Sequence, residues 1–351
     1  MRQFFGMSQC GNLKEAVRGL SRPQLLILLS NSEQFKIHVR ELEELFPQVP
    51  SIGCIGVCYG AVAAEKGVGV VALLDGAAAV ADVLEQASLA PVKYVGRLKR
   101  DLERVGGTRA DTVCLDFCTG SGTRALTTLS SVLGRKKIAQ IGAAGEGGLV
   151  SANGRIYEDA MVYALVRSLH GRVKVYKENI YRQMGEERLV TSGTNRAEGL
   201  IGALNGQSAK LVYQNLLHVP ERDLETQTFR NPLGRLDGEE TDILAVREAS
   251  GSALRCYRPV GDCEVLTVLE LGDYPSIVRH TVQTIRRDFS RPSAVFSINC
   301  LLRYLLFRRD RYLPEYLREM GSLGCHAGFV GCGEHYNGRL VNQTMVCAVF
   351  E

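Results

Sequence analysis

The sequence lacks tryptophan, long apolar runs and a strong excess of either charge. No stretch approaches the roughly eighteen uninterrupted apolar residues that cross a membrane. Residues 1–20 contain no basic segment followed by a long apolar run, so we expect no secretory signal. The net charge of +4 is too small for a dedicated nucleic-acid binder. These absences predict a cytoplasmic protein that binds neither membranes nor nucleic acids.

Cysteine is plentiful by contrast, with 11 residues that lie mostly inside apolar runs. This placement predicts reduced thiols and not a disulfide framework. Cys54 and Cys58, like Cys114 and Cys118, are spaced so that each pair would point to one face of a strand. Two such pairs could hold a metal, but zinc ligands usually lie in turns. We therefore expect small core residues, and neither a metal nor another cofactor.

An internal repeat organises the apolar segments. LLILLS, FKIHVRELEELF and SIGCIG form a strand, a helix and a strand, and the same order returns in TVCLDF, TRALTTLSSVLG and KIAQIG, and in SAVFSINC, YLPEYLREMG and GCHAGFVG. Gly53, Gly142 and Gly328 hold the same place in the three passes. The second interval is about twice the first, which predicts a degenerate copy near Gly234.

The strands are rich in Val, Ile and Leu, which indicates burial on both faces. Each unit closes with a hairpin-like strand pair, so the sheets should be mixed. We predict an α+β fold with mixed β-sheets covered by helices in layers, in two pseudo-repeated halves built from duplicated β-α-β-β units. The polar segment MGEERLVTSGTNRAEG marks the boundary between modules at residues 1–190 and 191–351.

Polar and glycine residues concentrate near the C-terminus, in SINCLLR and GFVGCGEHYNGRLVNQT. Glycines let backbone approach a ligand closely, and loops at strand ends often carry binding residues. The sequence therefore predicts a ligand site formed by Asn299, Cys300, Arg303, Gly331, Gly333, Glu334, His335, Tyr336, Asn342 and Thr344.

Arg303 and Glu334 suggest the chemistry of that ligand. A guanidinium matches a carboxylate and a carboxylate matches an ammonium group, as a free amino acid requires. The alternative is an Arg–Glu ion pair that pins the turn to the strand. A second alternative is an enzyme in which Cys300 is the nucleophile, with His335 as base and Glu334 as its orienting carboxylate. No known cysteine signature surrounds Cys300, so no catalytic residue is assigned.

A second polar turn follows the strand in FCTGSGTR. Backbone N–H groups at the start of the next helix could hold an anion, so Thr119, Ser121, Thr123 and Glu146 are predicted as a possible second pocket wall. The alternative is a structural turn in which Ser121 or Thr123 caps the helix.

Taken together, the motifs resemble the FIST sensory domains, which pair an N-terminal with a C-terminal module. The resemblance rests on LLILLSNSEQF, VPSIGC, IGAAGEGG, ALNGQSAKLVYQNLL, NPLG, the Cys300–Arg303 pair, GFVGCGE and the Asn342/Thr344 pair, in that order. It implies a cytoplasmic ligand-sensing protein for small molecules such as amino acids, usually coupled to a signalling output domain.

The sequence departs from the family at Cys58 and Tyr59, where Gly-Glu is typical, and at His335, where an aliphatic residue is usual. The two modules account for all the residues, so we expect a stand-alone sensor. Its partners would be a small polar metabolite or amino acid and a separate signalling protein of the kinase, cyclase or chemoreceptor type. The alternatives are the cysteine-dependent enzyme and a protein-interaction scaffold.

Overall fold

The computed structural model of the chain describes residues 1–120, 122–237 and 240–351. Within these residues the chain forms two compact units. Unit 1 consists of Met1–Glu178, Val278–Leu340 and Thr344–Glu351, and unit 2 of Asn179–Ile277 and Val341–Gln343. The predicted modules, residues 1–190 and 191–351, divide the chain at a different place and stay a prediction.

The first half of the chain contains most of the strands of unit 1. In chain order the elements are β1 (Gln3–Ser8), α1 (Leu13–Ala16), β2 (Leu25–Ser30), α2 (Phe35–Leu45), β3 (Ser51–Ile55), β4 (Cys58–Tyr59), β5 (Ala63–Ala64), β6 (Val68–Leu73), β7 (Ala77–Glu85), a 3₁₀ turn (Pro91–Tyr94), α3 (Val95–Val105), β8 (Thr112–Thr119), α4 (Thr123–Lys136), β9 (Ala139–Gly145), β10 (Val150–Ala152), β11 (Arg155–Tyr157), β12 (Ala160–Ser168) and β13 (Val173–Asn179).

The second half supplies unit 2 and the remaining strands of unit 1. The elements of unit 2 are β14 (Tyr181–Gln183), β15 (Leu189–Ser192), β16 (Leu200–Ile201), β17 (Ala203–Leu204), β18 (Gln207–Ser208), α5 (Ala209–Leu217), a 3₁₀ turn (Glu221–Asp223), α6 (Leu224–Gln227), β19 (Leu233–Asp237), β20 (Glu240–Leu244), β21 (Val246–Ser250), β22 (Ala253–Cys256) and β23 (Val265–Leu271). The chain continues with α7 (Tyr274–Asp288), β24 (Ala294–Cys300), α8 (Leu301–Arg309), α9 (Leu313–Gly321), β25 (His326–Gly331), β26 (Glu334–Tyr336), β27 (Arg339–Val341) and β28 (Thr344–Phe350).

The same strand pairing recurs in three segments of unit 1. Strand β2 is parallel to β3 and antiparallel to β6. Strand β8 is parallel to β9 and antiparallel to β12, and β24 is parallel to β25 and antiparallel to β28. The mixed sheets and the α+β class are thereby confirmed. The copy predicted near Gly234 was wrong, because its strand β19 is antiparallel to both β20 and β23.

Two of the repeated glycines allow neighbouring strands to approach closely. A Cβ atom at Gly328 would lie 2.1 Å from the carbonyl oxygen of Ser297 on β24. A Cβ atom at Gly142 would lie 2.3 Å from the carboxylate carbon of Asp116 on β8. Heavy atoms cannot come this close, so any larger residue would push the strands apart.

Helices cover one face of the sheets. Phe35, Val39 and Leu42 recur at helical spacing on α2 and pack in one cluster with the side chains of β2. Helix α4 likewise packs in one cluster with Cys114 and Cys118 of β8. These contacts define an outer, helix-covered face of the β2–β3 sheet and of the β8–β9 sheet.

The opposite faces of the sheets meet in the interior of unit 1. Phe117 of β8 packs edge-on against Phe329 of β25, with ring centroids 5.0 Å apart. Because neighbouring residues of a strand point to opposite faces, Phe117 lies inside while Asp116 and Cys118 lie on the helix-covered side.

Short strands link the three segments of unit 1. After β3 the chain forms β4, which pairs with β25. After β9 it forms β10, which pairs with β3, and after β25 it forms β26, which pairs with β9. The resulting strand orders are β1-β6-β2-β3-β10-β11, β27-β26-β9-β8-β12-β7 and β13-β28-β24-β25-β4-β5.

Unit 2 has its own antiparallel framework and its own core. Its strands follow the orders β18-β17-β15-β23-β19-β20, with β14 also on β23, and β16-β22-β21. The core includes Leu204, Tyr213, Leu233, Leu254 and Leu266, all of them buried. Unit 2 therefore packs around apolar side chains from its strands and from α5.

Candidate functional site

An open cleft lies in unit 1 at the carboxyl ends of β2 and β3, with a volume of about 580 Å³. Its walls include Asn31 and Gln34 from the loop before α2, and Gly56 from the turn after β3. Lys66 and Glu146 add charged groups of both signs. Ligands of α/β proteins commonly bind outside the carboxyl ends of parallel strands, and this volume suits a small molecule.

The loop between β2 and α2 is held in place by Asn31. The backbone N–H of Gln34 donates to Oδ1 of Asn31 at 2.9 Å. The Asn31 amide nitrogen in turn donates to the carbonyl oxygen of Lys66 at 2.8 Å and to that of Gly67 at 3.2 Å. An asparagine that bonds its own loop in this way fixes the wall of the cleft before a ligand arrives.

The carboxylates of the cleft differ in how they are neutralised. Glu65 accepts from the Tyr304 hydroxyl at 2.9 Å and forms an ion pair with Arg308 at 2.5 Å. Glu146 is half-buried, and its backbone N–H donates to the carbonyl oxygen of Ile55 at 2.9 Å. A third carboxylate of the wall, Glu33, is exposed. Glu146 is therefore the best placed of the three carboxylates for a cationic ligand group, because a partly buried charge is screened less by water.

The predicted glycine turn, Gly331 to Gly333, lies directly behind this cleft. The N–H of Val330 donates to the carbonyl oxygen of Val57, a cleft residue, at 2.9 Å. The N–H of Cys332 donates to the carbonyl oxygen of Ala144, whose own N–H donates to that of Gly333. The turn therefore joins the strand ends that form the cleft.

Glu334 is fully buried on the inner side of β26. Its Oε2 accepts from the backbone N–H of Thr344 at 3.2 Å and from the Thr344 hydroxyl at 3.0 Å, and the Cys300 thiol also bonds to this carboxyl. Burial raises the pKa of Glu334 to about 7, against the opposing effect of these hydrogen bonds. Glu334, Cys300 and Thr344 are thus brought together as predicted residues.

Arg303 is also fully buried, but its ionic partner is Glu178 and not Glu334. The guanidinium also lies over the rings of Phe307 and Tyr316, at 4.9 and 5.5 Å from their centroids. The sequence suggested an ion pair between Arg303 and Glu334 as an alternative to ligand binding. Arg303 does form an ion pair, but with Glu178. Because it takes both charges out of water, its partners depend on each other.

His335 points away from Glu334, because the two residues are neighbours on one strand. Its Nδ1 lies 2.5 Å from Oδ1 of Asp116, and its Nε2 lies 3.8 Å from the sulfur of Cys118. The hypothetical arrangement of Cys300, His335 and Glu334 is therefore wrong, since the imidazole lies on the opposite face of β26 from the Glu334 carboxyl.

Comparison with known protein families matches residues 24–207 to the FIST N domain, which is more than half of the 351-residue chain. The chain belongs to the FIST N domain family. FIST is a family of sensory domains, which indicates ligand sensing in signal transduction. A search of curated proteins finds no match.

The matched FIST N region contains most of the cleft. Asn31, Gln34, Gly56, Lys66 and Glu146 all lie inside residues 24–207, whereas the predicted residues of the C-terminal corner follow it. In the described part of this FIST chain, no helix combines the length and apolar character needed to cross a membrane.

The second pocket wall predicted in the FIST N domain has mixed outcomes. The Thr119 hydroxyl accepts from the N–H of Ala160 at 2.9 Å and so ties β8 to β12. Helix α4 begins at Thr123 but its cap residue is Gly122, so capping by Thr123 was wrong. Ser121 lies outside the described residues. Of Thr119, Thr123 and Glu146, only Glu146 lines the cleft.

The remaining predicted residues occupy several environments. Asn299 is fully buried, and within the described residues neither polar atom of its amide has a hydrogen-bond partner. Lys177 lies over the ring of Tyr336 at 5.6 Å. Asn342 belongs to unit 2, where its Oδ1 accepts from the N–H of Gln343 at 3.1 Å.

The paired cysteines also separate. Cys114 and Cys118 share β8 and one core cluster, as predicted, but Cys54 and Cys58 lie on the different strands β3 and β4. Across residues 1–120, 122–237 and 240–351, no three His, Cys, Asp or Glu side chains are arranged to hold a metal ion.

Sequence reasoning missed the cleft, Asp116 and Glu178. For the cleft, the available signal was the polar segment directly after the buried strand LLILLS. For Asp116 it was a single acid inside the apolar run TVCLDF, because a charge in a buried strand requires a partner.

Proposed function

We propose that this FIST chain is a ligand sensor of signal transduction and that its cleft binds a small zwitterionic molecule, such as a free amino acid. The observation that supports the proposal most is the cleft itself. It is open, it lies at the carboxyl ends of the parallel strands β2 and β3, and most of it lies in the matched domain. Its volume of about 580 Å³ is in the range of small-molecule sites.

The charges around the cleft suit both ends of an amino acid. Glu146 is placed to meet an ammonium group, and Lys66 to meet a carboxylate. The loop that lines the cleft leads into α2, whose amino end carries a partial positive charge that also favours a carboxylate. We assign the ionic contacts here because Arg303 and Glu334 are fully buried and have protein partners.

A ligand in the cleft would contact elements that the fold already connects. Glu146 follows β9 and bonds to Ile55 of β3, while Val57 bonds to Val330 of β25. Occupancy would therefore favour one arrangement of these strand ends over another, which is what a switch requires. The output would pass to a separate signalling protein of the kinase, cyclase or chemoreceptor type.

Thermal unfolding with a panel of glycine, L-alanine, L-lysine, L-glutamate, ethylamine and acetate tests this proposal. A zwitterion that binds should stabilise the protein by about 2.7 kcal/mol at roughly one hundred times its Kd. Glu146→Gln should abolish the shift. The matched control is Glu44→Gln, which removes an exposed carboxylate from α2 outside the cleft and should keep the shift.

The same experiment separates the cleft from the C-terminal corner. If Glu334→Gln abolishes the shift while Glu146→Gln keeps it, the ligand binds at the corner predicted from the sequence. Absence of a shift with every compound would count against a zwitterion sensor and favour the interaction scaffold.

A further inference from the structure

Asp116, His335 and Cys118 form a buried cluster on the helix-covered side of β8 and β26. Oδ1 of Asp116 lies 2.5 Å from Nδ1 of His335, and the other His335 nitrogen faces the Cys118 sulfur at 3.8 Å. Gln140 donates its amide N–H to the second carboxylate oxygen of Asp116 at 2.8 Å. A carboxylate, an imidazole and a thiol in this order can transfer the thiol proton to the imidazole.

Gly142 makes this contact across three strands possible. Asp116, Gly142 and His335 stand in one row of the sheet, on β8, β9 and β26. A Cβ atom at Gly142 would overlap the Asp116 carboxylate, so only glycine leaves the space in which acid and imidazole meet.

The Cys118 sulfur is buried but lies close to an exposed residue. Its side chain is fully buried, yet the thiol donates to the carbonyl oxygen of Gly120 at 3.1 Å, and Gly120 is exposed. Gly122 packs so closely that a Cβ atom there would lie 2.7 Å from the sulfur. A reaction partner for a sulfur packed this closely has to be small.

We propose that Cys118 is a modification site, at which a small hydroperoxide oxidises the thiol to a sulfenic acid. The thiol proton moves to Nε2 of His335, and the thiolate attacks one peroxide oxygen. The S–O bond forms as the O–O bond breaks, and the leaving hydroxide takes the proton from His335 to become water. The sulfur loses two electrons and the peroxide gains two. Asp116 is a positioning residue that holds the imidazolium.

Cys114 provides a matched control within the same strand. It lies on the same face of β8 and is equally buried. Its thiol bonds to the carbonyl oxygen of Leu115 and not to an imidazole. Burial, followed by the charge of Asp116, raises the pKa of Cys114 well above its ordinary value. A difference in oxidation rate between Cys118 and Cys114 therefore reports the imidazole and not burial.

The experiment exposes the native protein to hydrogen peroxide for graded times and removes the oxidant with catalase. The protein is then denatured, sulfenic acids are trapped with dimedone, and each cysteine is followed by tandem mass spectrometry. Cys118 should be oxidised at least about tenfold faster than Cys114, because a thiolate is the reactive form. Equal rates for the two cysteines in the wild-type protein would overturn the proposal, and this comparison requires no variant.

Variants then identify the residues responsible. His335→Gln and Asp116→Asn should each slow Cys118 oxidation about tenfold and leave the rates of Cys114 and of the exposed Cys10 unchanged. If His335 and Asp116 had a purely structural role, the substitutions would loosen the fold and increase the oxidation rates of Cys114 and Cys118 together. An unchanged or faster Cys118 rate in His335→Gln would contradict the proposed proton transfer.

Discussion

The carboxyl edge formed by β2 and β3 is open, whereas the edge formed by β24 and β25 is closed, although the strand pairing is the same. The chain ahead of the helix explains the difference. Asn31 to Gln34 separate β2 from α2, while β24 runs directly into α8 at Leu301. The intervening loop leaves backbone and polar side chains at the surface. Of these two edges, the one that borders the cleft is the one with a loop between strand and helix.

The ion pairs at the two edges also differ in their exposure to water. At the open edge, Glu65 and Arg308 form an ion pair that is about half-exposed. At the closed edge, Arg303 and Glu178 are both almost completely buried. Water can solvate the first pair if it separates, but the second pair has no such alternative.

Breaking the buried pair should have the largest effect. Glu178→Gln leaves the Arg303 guanidinium without its counter-charge, and we expect unit 1 to lose about 3–5 kcal/mol of unfolding free energy. The matched control at the open edge is Glu65→Gln, with an expected loss below about 1 kcal/mol. Denaturant unfolding of both variants measures the comparison, and equal losses would remove the distinction between the edges.

A pH series should sharpen the comparison through Glu334. Burial raises its pKa from 4.5 to about 7, so the folded protein binds a proton that the unfolded chain has released. The free energy of unfolding of the wild type, relative to that of Glu334→Gln, is therefore highest below pH 4.5. This difference should fall by about 3 kcal/mol as the pH rises through 7. Denaturant unfolding at each pH gives this difference.

Glu146→Gln is the control for the pH series, because its half-buried side chain lines the open edge. It should change stability by less than about 0.5 kcal/mol at every pH. A flat profile for Glu334→Gln would show that the closed edge does not destabilise the ionised carboxylate.

The glycines should show the smallest difference between the edges. A Cβ atom at Gly328 would meet the backbone oxygen of Ser297 at 2.1 Å, whereas at Gly53 the nearest atom is the Ser151 hydroxyl at 2.6 Å. Gly328→Ala should cost about 1–3 kcal/mol, and Gly53→Ala less, because a side chain moves more easily than backbone. Gly134→Ala in α4, where the new atom meets open space, should be neutral or stabilising. Thermal unfolding of the three variants would refute this order if Gly53→Ala proved the most damaging.

The strands and their order along the chain could be predicted, because apolar runs separated by amphipathic helices specify both. Glu334, Cys300 and Thr344 were predicted as members of one site, and their side chains do bond to one another, although Cys300 lies far from the other two in the sequence. His335 was misplaced because neighbouring polar residues were treated as one cluster. If β26 had been recognised as a strand, alternation would have separated Glu334 from His335.

Partners distant in the sequence could not be predicted. Arg303 and Glu178, like His335 and Asp116, are brought together only by the order of strands in the sheets. Several topologies are compatible with the same apolar pattern. A charged residue in an apolar run therefore indicates that a partner of opposite charge exists, but the sequence does not identify that partner.

The short strands β4 and β26 make the folding of the first part of unit 1 depend on its last part, because each of them pairs with a strand that is distant in the sequence. The β9 sheet is incomplete until β26 has been synthesised, and β4, which pairs with β5 on one side, gains its second partner only after β25 has been made. Contacts between residues so far apart in the sequence are slow to form and dominate the search for the native state. A nascent chain that has only its FIST N region therefore carries unpaired strand edges. We expect unit 1 to reach its native state only after β25 and β26 have left the ribosome.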